Sequence, residues 1–220
     1  MIIVFVVTIV LIITVAILAL VNWERRYRTR NYGSMPLPPG KPTAATRGIE
    51  GERRVAKILG KSSPEQSYYV INDYFFVSGR VSCQIDHIVV SKYGVFVIET
   101  KNLSGRIYGK DTDQTWTQVL NYGKNKYKIY NPVKQNMGHI NCLKTILPYN
   151  TKIFGMVVFI SADIRFLKSN HVCFVRDLVS WLESFTTSVM DESWIQTVLN
   201  CLKDYECTDE RVWAEHCSPN

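Results

Sequence analysis

No charged side chain occurs in residues 1–21 of this 220-residue chain, and Thr8 and Thr14 are the only polar residues there. Such a segment cannot form a soluble surface, and as a helix it would run about 31 Å, close to the ~30 Å of a bilayer's hydrocarbon core. No Lys or Arg precedes the apolar run and no clear small-x-small site follows it, which favours an uncleaved anchor over a secretory signal. The six cysteines (Cys83, Cys142, Cys173, Cys201, Cys207 and Cys217) make no Cys-x-x-Cys pair, which excludes a zinc ribbon or a thioredoxin-like redox motif. Nor does the irregular group Cys201, Cys207, His216 and Cys217 have the spacing of a metal site. The chain has no internal repeat and no recognisable nucleophile motif. Its 46% hydrophobic content excludes disorder.

What is present begins with Trp23, Tyr27 and the arginines 25, 26, 28 and 30, which suit a cytoplasmic interface directly after the apolar segment. The N-terminus would then face outward and the remaining chain inward, with these arginines able to touch anionic headgroups. Residues 31–46 carry four prolines and two glycines and read as a semi-extended tether. We therefore divide the chain into a transmembrane helix (1–21), a basic juxtamembrane segment and linker (22–46), a folded domain (47–203) and a polar tail (204–220). Net charge is +7, from 26 Lys+Arg against 19 Asp+Glu, and every basic residue lies after the anchor. That balance fits a polyanionic partner, although the juxtamembrane arginines supply part of it.

Helical spacing over 48–59 places Glu52 on a mainly apolar stripe with Ile49, Ala56 and Leu59. Strands are expected at 68–76, 84–90, 95–101, 116–120, 126–130, 153–160 and 171–175. Helices are expected from Asn131-Pro132, a cap followed by proline, to about Leu147, and over 178–185 and 194–202. These elements predict an α/β domain with a mixed sheet flanked by helices, Trp116 and Phe154 being core.

The most legible element is the hairpin closing around Ser91-Lys92-Tyr93-Gly94. Pairing Val90 with Val95 and counting outward sets Asp86 opposite Glu99, with Lys101 on the same face and Thr100 and His87 turned away. Directly opposed carboxylates, with Cβ atoms about 5 Å apart, repel unless a cation lies between them or one takes a proton. Magnesium suits the position because it takes one or two carboxylates and leaves its other places to water and phosphate. Lys101 could then steady negative charge on a phosphodiester or, with a lowered pKa, help deprotonate the attacking water. Glu52 could reach the cluster through water. The competing reading is an ion-pair network. Gln135 and His139, four apart, share a helix face. Lys124, Lys126 and Lys128, interleaved with Tyr122, Tyr127 and Tyr130, offer phosphate neutralisation and stacking, or only a solvated strand face.

The ordered series Gly48-x-x-Gly51-Glu52, then Gln84-Ile85-Asp86 through Glu99-Thr100-Lys101-Asn102, then Gly105, Trp116, Asn131-Pro132, Gln135 and His139 resembles the nuclease-related (NERD) domain over about 47–145. That family is grouped with the PD-(D/E)xK nucleases, and the resemblance implies a restriction-endonuclease-like fold. It implies Asp86, Glu99 and Lys101 as the catalytic signature, Glu52 as the acidic residue of the first helix, and Gln135 as a supporting residue. Ile85 stands where the superfamily's name has proline. The expected activity is Mg2+- or Mn2+-dependent hydrolysis of phosphodiester bonds, in DNA, by a membrane-anchored protein with Asp86 and Glu99 as metal ligands. The alternatives are a catalytically silent nuclease scaffold that binds nucleic acid or a protein, and a structural protein of the membrane surface.

Overall fold

A computed structural model describes residues 43–60, 68–79, 81–207 and 209. The expected membrane helix, most of the linker and most of the tail lie outside them, and no helix among the described residues is long and apolar enough to cross a membrane.

Helix α1 (Ala44–Leu59) starts four residues earlier than its apolar pattern suggested, because the Thr43 hydroxyl caps it, accepting from Thr46 N–H at 3.2 Å. Strands β1 (Tyr69–Ser78), β2 (Val81–Ser91) and β3 (Gly94–Lys101) follow as an antiparallel meander. The hairpin register is the expected one, Val90 opposite Val95 and His87 opposite Ile98. Gly94 closes the turn with φ +132°, and a Cβ there would stand 2.8 Å from the Phe154 ring.

The single expected sheet is in fact two. The chain leaves β3 to build β4 (Arg106–Lys110), β5 (Thr115–Leu120) and β6 (Asn125–Tyr130), a second antiparallel meander, and returns through helix α2 (Pro132–Leu143). Next come β7 (Ile153–Phe159), β8 (Leu167–Lys168), β9 (Val172–Phe174), α3 (Leu178–Glu183) and α4 (Glu192–Tyr205). The first sheet runs β1-β2-β3-β7-β9, with β7 and β9 parallel to β3, and the second runs β6-β5-β4-β8. Strands β4 and β8 carry too little hydrophobic pattern to be read from sequence: Ile107 is the only fully buried side chain of β4, and β8 has two residues.

Helices α2 and α4 cover one face of the first sheet, burying Ile140, Leu143, Val198 and Leu202 against Ile88, Val90 and Val97. Helices α1 and α3 cover the other, burying Val55, Leu59 and Leu178 against Val89, Phe96 and Ile98. A third cluster, centred on Ile107, Trp116 and Phe159, joins the second sheet to β7. Trp116 is fully buried, as expected, whereas Phe154 is half-buried at the margin of the core. Helix α2 ends at Leu143 and not at Leu147: Ile146 and Leu147 are buried, but in turns ahead of Pro148.

Candidate active site

Two departures from regular sheet structure create the site. Asp73 adopts φ +52°, and the β1–β2 ladder passes from Asn72↔His87 to Tyr74↔Ile85, skipping the Asp73–Asp86 position. Side-chain alternation changes phase there, since Ile85 and Ile88 both enter the core beneath α2 and α4. On the other side, the β2–β3 ladder stops at His87↔Ile98, one position short of Asp86 and Glu99. Asp86 therefore leaves the Ile88–Val90 row and turns toward β3, where Thr100 N–H donates to its Oδ2 at 2.7 Å. Local irregularity of this kind is a common way of re-aiming one side chain beside an active site.

Glu99 is 2% exposed and faces α2. Its Oε1 accepts from Lys101 Nζ at 2.6 Å, and the same ammonium donates to Gln135 Oε1 at 3.0 Å. His139, one helical turn beyond Gln135, brings Nδ1 to 3.3 Å from Glu99 Oε2, but out of hydrogen-bonding line, so both buried atoms lack a hydrogen-bond partner. Glu52 from α1, Asp86, Glu99, Lys101, Gln135 and His139 line one cleft of about 620 Å³ between α1 and α2. The structure thus gathers all five expected catalytic residues.

Glycine and asparagine contacts hold the helices in place. Gly51 is buried where a Cβ would meet Asn102 Cβ at 2.7 Å, so its hydrogen lets α1 close on the end of β3. Asn102 Nδ2 ties the same end to Arg47 O at 2.8 Å. Fully buried Asn131 caps α2 by accepting from Val133 N–H at 2.9 Å, while its Nδ2 donates to Asp113 O at 2.7 Å and Asp111 O at 3.0 Å.

The two carboxyls are electrostatically unlike. Burial, reinforced by Glu99 and Glu52, pushes Asp86 well above the usual carboxylate range, against the pull of Thr100 N–H and Lys101. Burial also works upward on Glu99, but His139 and Lys101 outweigh it and hold that group below its ordinary value. Lys101 is raised because the neighbouring carboxylates overcome its own desolvation. It is an ammonium here, suited to charge stabilisation and not to taking a proton from water. His87 turns away from the cleft, as expected. Its Nδ1–H donates to Asn72 Oδ1 at 2.7 Å, its Nε2 lies 3.1 Å from the Thr100 hydroxyl, and burial lowers its pKa to about 3.

No three His, Cys, Asp or Glu among the described residues are grouped as a metal ligand set. A divalent cation would have to rest on Asp86 and Glu99 and otherwise on water and phosphate, as magnesium commonly does. The buried Oε2 of Glu99, which makes no hydrogen bond and has His139 Nδ1 at 3.3 Å beside it, fits that demand. Sequence reasoning missed the cleft-lining thiols Cys83 and Cys142; burial and the neighbouring Cys142 push the Cys83 thiol up, so Cys83 is an inert neighbour and not a reactive group. Of the expected nucleic-acid contacts, Lys126 and Lys128 are exposed on β6 and Lys124 at the turn before it; strand alternation puts Tyr127 on the opposite side from Lys126 and Lys128.

The family model for the nuclease-related domain, NERD, matches residues 47–160. An uncharacterized protein of Bacillus anthracis is 29% identical over 175 residues, covering 77% of this chain and 82% of that protein. No solved structure matches the chain. With a match over more than half its length, continuous from the helix bearing Glu52 to the end of β7, this chain belongs to the nuclease-related domain family.

Proposed function

We propose that the protein is a metal-dependent nuclease that hydrolyses phosphodiester bonds in DNA, held at the cytoplasmic face of a membrane by residues 1–21. The observation that carries this reading is Glu99: a buried carboxylate with one oxygen on Lys101 and the other beside His139 Nδ1 at 3.3 Å without a hydrogen bond, opening with Asp86 into a cleft. A purely structural ion pair would satisfy both oxygens.

Asp86 and Glu99 would hold Mg2+ or Mn2+, which when bound supplies positive charge to the scissile phosphate and acidifies water. Lys101, fixed by Glu99 and Gln135, places its ammonium where negative charge develops on the phosphate. Gln135 is a positioning residue, acting through Lys101. Glu52 closes the α1 side of the cleft and keeps it acidic enough to favour a cation. Attack by water in line with the leaving oxygen needs no covalent enzyme intermediate. Lys124, Lys126 and Lys128 supply phosphate contacts away from the cleft, and the juxtamembrane arginines meet anionic lipid.

The test is cleavage of labelled single-stranded and branched DNA by the full chain in uncharged detergent, with Mg2+, Mn2+ or EDTA. The expected result is metal-dependent turnover, abolished in Asp86→Ala and slowed about 10²–10³-fold in Lys101→Ala. An Asp86→Ala protein that cleaves normally sinks the site assignment, and metal-independent binding without turnover would mark a silent scaffold.

A further inference from the structure

The second sheet has one face on the core and one in solvent. Along β4 the alternation is complete: Arg106, Tyr108 and Lys110 are exposed while Ile107 is buried. Register carries that solvent face across the sheet, Arg106 beside Val119 and Val119 beside Lys126, then Tyr108 beside Thr117 and Thr117 beside Lys128, with Tyr130 beside Thr115. On the other edge Lys110 pairs with Lys168, which is also exposed. Phe166, from the loop before β8, stacks on Tyr108 with ring centroids 4.9 Å apart, and the Arg106 guanidinium lies 5.8 Å from the Phe166 ring centre. Two aromatic rings 36% and 44% exposed, kept in place by each other and by an arginine, are costly to leave in water on a sheet that already has a buried face.

We infer that this face is a platform for single-stranded nucleic acid, on which bases stack against Tyr108, Phe166 and Tyr130 while Arg106, Lys110, Lys126, Lys128 and Lys168 neutralise the backbone. Charge complementarity selects a polyanion, since five cations converge there. An acidic neighbour of Arg106, Asp163, is already held by the Arg165 side chain through two bonds of 2.9 and 2.8 Å. The rings select a single strand, because a duplex keeps its base faces stacked inside. The face lies outside the catalytic cleft but close to it: Arg106 is five residues beyond Lys101, at most about 18 Å away along the chain. The inference rests on the nuclease reading only for the coupling of capture to cleavage, and not for the binding itself.

The experiment is fluorescence anisotropy with labelled fifteen-nucleotide oligothymidine and a duplex of equal length, using the full chain in uncharged detergent and EDTA. The expected result is preference for the single strand, with log K falling against log salt at a slope between about −2 and −3.5, three to five phosphates at ~0.7 each. The double substitution Tyr108→Ala/Phe166→Ala should weaken binding by at least about 5-fold, the low end for loss of a single stacking ring. Lys126→Glu/Lys128→Glu should flatten the salt slope. Because metal is absent, a cleft without hydrolytic activity would leave these results unchanged. Equal affinity in wild type and the Tyr108/Phe166 variant overturns the inference. Tighter binding to phosphatidylserine vesicles, lost on the same substitutions, would assign the face to the membrane and overturn it too.

Discussion

Asp86 and Glu99 carry the same functional group in the same cleft, yet one is pushed toward its neutral form and the other is held ionised. A raised carboxyl stabilises the folded state below its unfolded pKa and loses that contribution as pH rises, so at neutral pH the Asp86 charge works against folding. Asp86→Asn keeps an acceptor for Thr100 N–H and removes the charge. Its expected effects are a gain of about 1 kcal/mol in urea unfolding and no cleavage, the trade expected where function needs a destabilised group. His87 gives the opposite sign. Its folded pKa of about 3 lies below the ordinary 6.5, so the unfolded chain takes the proton first and stability falls as pH drops from about 6.5 toward 3. In EDTA, lowering pH from 7.5 to 4.5 should cost wild type on the order of 2 kcal/mol more than His87→Gln. An identical pH response in both proteins would mean that His87 is charged in the fold. Alternation alone placed His87 correctly, since a ring opposite the Asp86 face had to find partners within the packed sheet.

At the scale of elements, α2 is the part whose placement decides the site, because it delivers both Gln135 and His139. Its orientation depends on Asn131, which caps the helix with one atom and clamps the 110–113 turn with the other. Asn131→Ala removes the cap and strips part-buried carbonyls of a donor, and is expected to cost about 2–3 kcal/mol, measured by urea unfolding. Activity should fall as Lys101 loses its Gln135 contact, and a loss no larger than an ordinary exposed cap would show that the clamp is incidental. The cap was visible in sequence as Asn131-Pro132; the clamp was not, because its partners are backbone carbonyls with no sequence signature. The same division runs through the fold. The β2–β3 register followed from a glycine-bearing turn between two apolar runs, and with it the proximity of Asp86, Glu99 and Lys101. The second sheet escaped because Arg106–Lys110 buries one side chain fully, so its pairing is fixed by the strand that follows it and not by its own pattern. The phase change at Asp73 and Asp86 escaped for a similar reason: a left-handed aspartate is a property of the paired strands and not of a local motif.

The whole molecule joins three properties: a nuclease-related fold with an acidic cleft between α1 and α2, a second sheet with a basic and aromatic face, and an apolar N-terminal run. A net charge of +7 draws polyanions toward the chain over a Debye length of about 8 Å at physiological salt, while the cleft itself needs a cation before a phosphate can approach its carboxylates. The nuclease reading turns on whether Asp86 and Glu99 hold a metal. The most direct measurement is calorimetric titration of Mg2+ into the full chain in uncharged detergent at neutral pH, with and without a short single-stranded oligonucleotide, for wild type, Asp86→Ala and Glu99→Ala. The account expects one saturable site in wild type, tightened by the oligonucleotide and lost in both variants. Binding that survives both substitutions, or none in a folded wild-type chain even with the oligonucleotide present, would contradict it.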